Sequence, residues 1–467
     1  MSRINTNVSS LIAQRVFRKN SETLNTSLQR LSTGLKINTG ADNPAGLIAS
    51  ENLRAEKTGI STAIDNAQRA SNIIGTAEGG LNEISSLLNE VQGLVGSTAN
   101  SGGLSLEEKQ ANQLQVDSIL GTINRIAAAT SFQGKKLLNG NLDYTTSSVT
   151  STSIDNLHVN AARLADGATT SVVVQVVTSA TTAKVGYTGG SVAGGTATIE
   201  VAGNAGAEQL SFASGTSVSS IVTAVNAVKA ATGVSATVSG VDIRFESTEF
   251  GASHFASVKA VSGNFTIATP KASGTDAAVT VNGASAQTDG THVSFRNSNL
   301  DVDFDLDATF NTTGTTTFGI TGGGATFALG SKVTEGDKAS IGVASVSTGS
   351  LGDTTTGFLS SLGSGGLNSL TSSNLVTAQK IIDKSIKQVA TLRGRLGAFQ
   401  KFQIGSTINS LGVAYENASA AESAIRDTDF AAETSALTRS QILQQASTTV
   451  LTQANSAPQS ALALLRG

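Results

Sequence analysis

The sequence predicts an α + β protein, in which the N- and C-terminal segments form a nested helical coiled-coil rod and the central insert is β-rich. Near both ends, apolar residues recur in steps of three and four, as they do in helices that pack against other helices. Between about residues 142 and 369, short runs of alternating polarity are separated by Gly, Ser and Thr, a pattern typical of strands and turns. The order helix, insert, helix brings both termini to one end of the predicted rod.

The first and last segments each have a narrow apolar face, and we name these faces together the core seam. An apolar helix face stabilises its helix only once it is covered, so we expect the first and last helices to pair. Two helices with many small residues bury little area, and we therefore expect neighbouring copies to complete the cover. The core seam consists of Ile4, Val8, Leu11, Leu24, Leu28, Leu31, Leu35, Leu443, Val450, Ala454, Ala457, Ala461 and Leu464.

A longer coiled-coil pattern follows, and we name it the rod seam. Asn43 is placed to cap a helix that starts at Pro44, since the first helical position needs no amide hydrogen. From Ile60 onward the apolar residues keep a heptad spacing, and a similar pattern returns near residue 375. The rod seam consists of Ile60, Ile74, Leu81, Ile84, Leu88, Val91, Val95, Leu375, Ile382, Val389, Leu392, Leu396 and Phe399.

Two local signals lie between the helical blocks and the insert. Ser105 and Glu108 form the pattern of a capping box, which predicts the start of a further helix. The stretch "TSFQGKKLLNG", residues 130–140, predicts a hairpin after that helix. The first helical block therefore contains more than one helix and ends in a turn.

The insert contains alternating runs that predict strands, among them "SVVVQVV", "ATIEVAG", "VDIRFES" and "LDVDFDLD". One stretch differs, because Val218, Ile221, Val225 and Val228 fall on one helical face before Gly233, which predicts a short helix. We expect a β-rich insert that contains this helix.

Four carboxylates alternate along one strand of the insert. Asp301, Asp303, Asp305 and Asp307 share a face with about 7 Å between neighbours, which is compatible with a cation site or with a solvated strand face. The second interpretation places Val302, Phe304 and Leu306 in the core. We favour the solvated face and expect no metal site and no cofactor.

Composition excludes several classes of function. The formal net charge of −3 gives no general attraction to nucleic acid or to an acidic membrane, and we expect neither as a partner. The chain has no cysteine and three histidines far apart in sequence, so thiolate catalysis and cysteine metal sites are ruled out. No stretch approaches the roughly 18 apolar residues of a membrane span, and the N-terminus lacks the pattern of a cleaved signal peptide. We expect no enzyme activity.

Several terminal stretches together resemble those of bacterial flagellin. They are "MSRINTNVSSLIAQ", "LQRLSTGLKINTGADNPAGLIAS", "TSFQGKKLLNG" and "SAIRDTDFAAETSALTRSQILQQASTTVLTQANSAPQSALALLRG". With the helices between them, the resemblance covers about residues 1–141 and 370–467. Residues 196–255 are similar to a module that recurs in the variable part of flagellins and hook-associated proteins.

The resemblance implies a structural subunit that polymerises with copies of itself into the flagellar filament for swimming motility. It also implies secretion without a cleaved signal peptide to an extracellular filament, with the flagellar export apparatus, an export chaperone and the filament cap protein as partners. The domains expected from it are a terminal coiled-coil core (1–44 with 425–467), a helical-rod wall (45–141 with 370–424) and a surface-exposed variable insert (142–369).

Two other functions compete with the filament subunit. A hook–filament junction protein has similar seams and a similar "NPA" element, but the "INTN" start and "SQILQQASTTVLTQAN" resemble the filament protein more closely. A surface enzyme or adhesin displayed by the insert needs a convergent site within residues 142–370, and the sequence pattern indicates none there.

Overall fold

The computed structural model describes residues 6–100, 103–164, 168–189, 191–192, 195–267, 269–372 and 374–466, with side chains up to residue 460. The chain forms two compact units. The first comprises Met1–Gln68, Ala328–Asp337 and Gly405–Gly467, and the second comprises Arg69–Phe327 and Lys338–Ile404. Of the core seam, Ile4 and the side chains of Ala461 and Leu464 lie outside the described residues.

The predicted terminal helices are present. Asn7 caps the first helix by accepting a hydrogen bond from the Ser10 amide at 2.9 Å, and Gly34 ends that helix in the left-handed conformation. The helices are α1 Val8–Thr33, α2 Pro44–Thr98, α3 Leu106–Ala129, α4 Val218–Ala227, α5 Lys229–Thr232, α6 Leu375–Ala398, α7 Ser406–Arg426 and α8 Phe430–Arg466.

The helix signals in the sequence are confirmed at their caps. Helix α2 begins at Pro44, and the Asn43 side chain accepts a hydrogen bond from the Gly46 amide at 2.9 Å. Ser105 and Glu108 form the complete capping box of α3. In the insert, the expected helix stops one residue short of Val228, where a turn separates α4 from α5, and Gly233 then ends α5 with φ of 75°.

The strands occupy most of the region between α3 and α6, with a hairpin of β1 and β2 where "TSFQGKKLLNG" predicted one. Their bounds are β1 Ser131–Phe132, β2 Lys135–Lys136, β3 Tyr144–Ser147, β4 Ile154–Ala162, β5 Thr170–Thr178, β6 Thr182–Tyr187, β7 Ala197–Gly203, β8 Gly206–Phe212, β9 Val234–Ser239, β10 Asp242–Phe250, β11 Phe255–Ser262, β12 Lys271–Ser273, β13 Ala278–Val281, β14 Ala284–Ser285, β15 Gln287–Asp289, β16 His292–Arg296, β17 Leu300–Leu306, β18 Gly314–Gly323, β19 Ala325–Ala328, β20 Lys338–Ile341, β21 Gly352–Asp353 and β22 Gly357–Phe358.

The described residues of the insert form two separate apolar cores. The first lies between a sheet of order β14-β13-β5-β18-β3 and one of order β15-β16-β17-β4, and includes Val174, Phe304 and Phe318. The second lies between sheets of order β6-β10-β9 and β12-β11-β7-β8 with α4, and includes Ile221 and Phe245. The alternation of apolar and polar residues therefore predicted which face of each strand is buried. The two cores arise because the sheets pack against each other in pairs.

A segment that the sequence assigns to the insert packs on the helices of the second unit. Gln113 of α3 donates to the Leu362 carbonyl at 2.9 Å and accepts from the Leu370 amide at 2.6 Å. The Thr348 amide donates to Asn124 of α3 at 2.9 Å. The Gly352 amide donates to Gln388 of α6 at 2.8 Å. Residues 343–369 therefore belong structurally with α3 and α6, although their Gly- and Ser-rich composition resembles that of the rest of the insert.

Candidate assembly interface

Helices α1 and α8 pack against each other in the first unit through small side chains. Ser10, Ala13 and Ser27 of α1 are buried, and so are Ser440 and Ser447 of α8. Small side chains allow two helix axes to approach closely, but they contribute little apolar area. This contact alone therefore holds the pair weakly.

Polar side chains fix the register of the α1 and α8 pair. Amide groups and hydroxyls of one helix reach the other, so that sliding by one turn breaks several hydrogen bonds together. The contacts are Asn7 Nδ2 to the Ala454 carbonyl at 2.7 Å, Ser10 Oγ to Asn455 Oδ1 at 2.6 Å, Asn20 Nδ2 to the Leu443 carbonyl at 3.2 Å, and Gln444 Nε2 to Ser21 Oγ at 3.3 Å.

Five large apolar residues of the core seam remain about half exposed beside this pairing. Val8, Leu11, Leu28, Leu443 and Val450 are between 47% and 58% exposed. Leu24, Leu31, Leu35 and Ala454 are half-buried, and Ala457 is exposed. The structure therefore brings α1 and α8 together, but the fully buried residues of the pair are small, and no described large residue of the core seam is fully buried.

Four further apolar side chains on α1 and α8 are exposed, and the core seam predicted from the sequence does not include them. Ile12, Val16, Phe430 and Ile442 are between 44% and 61% exposed. Ile12 lies one helical turn after Val8, Val16 lies one turn after Ile12, and Ile442 is next to Leu443. A seam wider than the strict heptad, which the sequence permits, would have included them. Exposed apolar surface of this kind marks an interaction site.

Charged residues join the start of α2 to α7 within the first unit. Lys57 Nζ lies 2.8 Å from Glu422 Oε2, and Arg426 lies 3.0 Å from Glu51. The hydrogen bond to Glu422 raises the pKa of Lys57. Because these pairs are at the surface, they orient the two helices and add little to stability.

The rod seam is covered within the chain. Ile60 in the first unit is 3% exposed, and the members on α2 in the second unit are at most 2% exposed. On α6 and just after it, Ile382, Val389, Leu392, Leu396 and Phe399 are at most 5% exposed, whereas Leu375 is half-buried. Gln92 of α2 donates to Asp383 of α6 at 2.9 Å, which places these helices side by side.

A π-helix follows α6 and was not predicted. It runs from Phe399 to Gly405, and it buries Phe399 and Ile404 while Phe402 is 67% exposed. A π-helical turn is wider than an α-helical turn, so it rotates the later residues about the helix axis. The regular 3.6-residue period of the sequence gives no signal of this change.

The alternating carboxylates of β17 are paired with protein groups. Asn160 Nδ2 lies 3.0 Å from Asp301 and 2.5 Å from Asp303, and His292 Nδ1 lies 2.7 Å from Asp305. Burial raises the pKa of Asp305, but hydrogen bonds from His292 and Asn156 outweigh it and leave that pKa below its ordinary value. Asp307 lies beyond the end of β17 and accepts a hydrogen bond from the Thr309 amide at 2.7 Å. In the described ranges, no three His, Cys, Asp or Glu side chains are grouped to hold a metal ion.

Comparison with known proteins matches the helical ends and part of the insert to one family. Residues 4–143 match the bacterial flagellin N-terminal helical region, residues 379–465 the bacterial flagellin C-terminal helical region, and residues 194–249 the flagellin hook IN motif. Flagellin D of Vibrio cholerae is 30% identical and Flagellin A of Vibrio anguillarum is 31% identical, each over 99% of both chains. The chain belongs to the bacterial flagellin family.

Membership identifies this flagellin as a structural subunit of the extracellular flagellar filament, which assembles with itself and serves motility. The alternative of a hook–filament junction protein is not favoured, because the likeness to flagellins extends over the full chain. The D2-D3 domains of the flagellar cap protein FliD from Serratia marcescens cover 34% of this chain and 95% of their own, at 17% identity and a TM-score of 0.25. Among the described residues, no helix has the length and hydropathy of a membrane span.

Proposed function

We propose that the core seam drives filament assembly, with α1 and α8 of neighbouring subunits covering one another in a coiled-coil core. The observation that supports this most is that α1 and α8 bury Ser and Ala between them, while large apolar side chains stay exposed. In this proposal the core is formed by 1–44 with 425–467 and the filament wall by 45–141 with 370–424 through the rod seam. The insert 142–369 faces solvent, apart from residues 343–369, which pack on α3 and α6.

The exposed apolar residues supply enough free energy for such an association. Val8, Leu11, Leu28, Leu443 and Val450 each keep about half of their surface exposed. Fully burying such a side chain contributes about 1.5–3 kcal/mol, so covering the remaining half contributes about 1 kcal/mol each. Five residues then provide about 5 kcal/mol per subunit toward the costs of association.

The chain acts as a structural subunit and not as an enzyme, and it reaches the filament without a cleaved signal peptide. Its partners in this proposal are the flagellar export apparatus, an export chaperone and the filament cap protein. The absence of cysteine agrees with passage of an unfolded chain through a narrow channel, since no disulfide can cross-link it. Mass spectrometry of the culture medium should find the protein at its full-length mass. The protein should be missing from the medium when the export apparatus is deleted. Cytoplasmic retention or a shortened N-terminus would contradict this proposal.

Limited trypsin digestion with electron microscopy tests the assembly proposal. In the monomer, cleavage at Arg15, Arg18 and Arg439 should come first, because α1 and α8 cover each other weakly. In seeded filaments the same sites should be protected, whereas Arg244 and Lys259 of the insert should be cut equally in both states. Equal protection of the terminal sites in monomer and filament would contradict a core built by assembly.

A further inference from the structure

A concave site of small-molecule size lies in the second unit. Its volume is about 510 Å³, and it is lined by strands β4, β16 and β17 on one side and by α6 on the other. Val346, Leu351 and Leu392 form a buried apolar floor. Binding sites for small organic molecules have volumes of about 300–1,000 Å³ and combine an apolar lining with a few polar groups.

The carboxylates at this cavity already have partners. Asp305 accepts from His292 at 2.7 Å, and Asp303 accepts from Asn160 at 2.5 Å. Two of the cations are also paired, since Arg296 Nε lies 2.6 Å from Asp301 and Lys384 Nζ lies 3.2 Å from Asp353. The Asn160 amide is neutral, so Asp303 keeps its negative charge, and the other charges at the cavity without an ion-pair partner come from the two remaining cations.

Arg395 and Lys387 of α6 are those cations. Within the part of the chain that the structure describes, neither side chain has an ion pair or a hydrogen bond, and Arg395 Nε is buried without a partner. A guanidinium stays charged at every accessible pH, so a buried N–H that bonds to nothing carries a desolvation cost. Burial lowers the pKa of Arg395, and this effect outweighs the opposite effect of Asp301, Asp303 and Asp143.

The other unoccupied polar groups at the cavity suit an oxygen-rich ligand. The Ser294 and Thr391 side chains line it and, among the described residues, make no hydrogen bond. His158 also faces the cavity, and desolvation lowers its pKa, so its imidazole is neutral near pH 7 and offers one donor and one acceptor. Hydroxyls and a neutral imidazole bind sugar hydroxyls well, and they add no negative charge.

We propose that this cavity binds an organic oxyanion of monosaccharide size, a sugar phosphate or a uronic acid. The Arg395 guanidinium and the Lys387 ammonium hold the phosphate or carboxylate, because a planar guanidinium matches both groups in a bidentate manner. Ser294, Thr391 and His158 face the sugar hydroxyls, and the apolar floor receives the carbon face of the ring.

Isothermal titration of the full-length monomer tests this site with four probes: glucose 6-phosphate, glucuronate, inorganic phosphate and uncharged glucose. We expect saturable binding of at least one sugar oxyanion, weaker binding of inorganic phosphate, and none of glucose. Preference for glucose 6-phosphate or for glucuronate identifies the anionic group. Arg395→Gln and Lys387→Gln should each weaken binding about tenfold or more, since each removes a charge-assisted contact.

Lys380→Gln is the matched control, because Lys380 is an exposed lysine on the same helix outside the cavity. Its binding should equal that of the unmodified chain, and thermal melting should show that all three variants fold. Absence of saturable binding for both sugar oxyanions would overturn the proposal. Equal affinity for glucose, or undiminished binding by Lys387→Gln together with Arg395→Gln, would overturn it as well.

Discussion

Val450→Asp separates the stability of the monomer from the assembly of the filament. Val450 lies on α8 and is 58% exposed in the single chain. An aspartate at this position stays in contact with water in the monomer, and Val and Asp have similar helix propensities. We therefore expect the free energy of unfolding of the monomer to change by no more than about 0.5 kcal/mol.

The filament should respond far more strongly. Assembly that covers the exposed part of Val450 gains about 1 kcal/mol from its apolar surface, and Val450→Asp loses this contribution. Burying an unpaired carboxylate costs several kcal/mol more. A total of about 4–6 kcal/mol corresponds to a rise in critical concentration of about a thousandfold or more, since about 1.4 kcal/mol is a factor of ten.

Seeded polymerisation followed by sedimentation measures that critical concentration, and thermal melting measures the monomer. Val241→Asp is the matched control, because Val241 is 66% exposed in a turn of the insert, where our proposal has no subunit contact. It should polymerise normally. The reasoning is refuted if Val450→Asp assembles within about twofold of the unmodified chain, if its monomer melts much earlier, or if Val241→Asp is blocked to the same extent.

Three further predictions concern the insert, a residue of the rod seam and the pair of His292 with Asp305. The Val343 amide donates to the Leu142 carbonyl at 2.9 Å, so replacing residues 144–341 by an Asn-Gly turn should keep a folded, polymerising chain. Deleting 145–365 instead removes the fully buried Leu359 and Leu362 and should lower the melting temperature; equal melting of the two deletions would contradict this. Leu88→Ala should cost about 2–5 kcal/mol in urea unfolding, because Leu88 is fully buried, whereas Leu28→Ala at a half-exposed position should cost the monomer far less. The hydrogen bond to Asp305 raises the pKa of His292 above 6.5, so its contribution is present below about pH 6.5 and is lost as pH rises through the raised pKa. His292→Asn should therefore lower the melting temperature more at about pH 5.5 than at about pH 9, and equal losses would exclude the pair as the cause.

The sequence alone determined the helices, their starts and the alternating faces of the strands. The heptad from Ile60 to Val95 marks buried positions along α2, because a helix that packs along one side must repeat its apolar residues with the helical period. Asn43, Pro44, Ser105 and Glu108 fixed two helix starts through bonds that form within a single turn. The terminal stretches also carried the family resemblance.

Only the tertiary structure decided which faces meet. The sequence pattern shows that Leu11 and Val450 are apolar, but it does not show that α1 and α8 approach through Ser10, Ala13 and Ser447 and leave the larger residues exposed. How closely two helices approach depends on the side chains of both. The spacing of apolar residues along one helix therefore cannot predict it.

The same reason applies to the cavity of the second unit and to the segment at its edge. Asp303 lies on β17, and Lys387 and Arg395 lie on α6, far away in the chain. Whether each of these charged side chains has a partner is decided only when the two elements pack together. Residues 343–369 have the composition of a loop-rich insert, yet Gln113 and Asn124 of α3 bind their backbone. Such bonds join groups more than 200 residues apart, and no local pattern in the sequence encodes them.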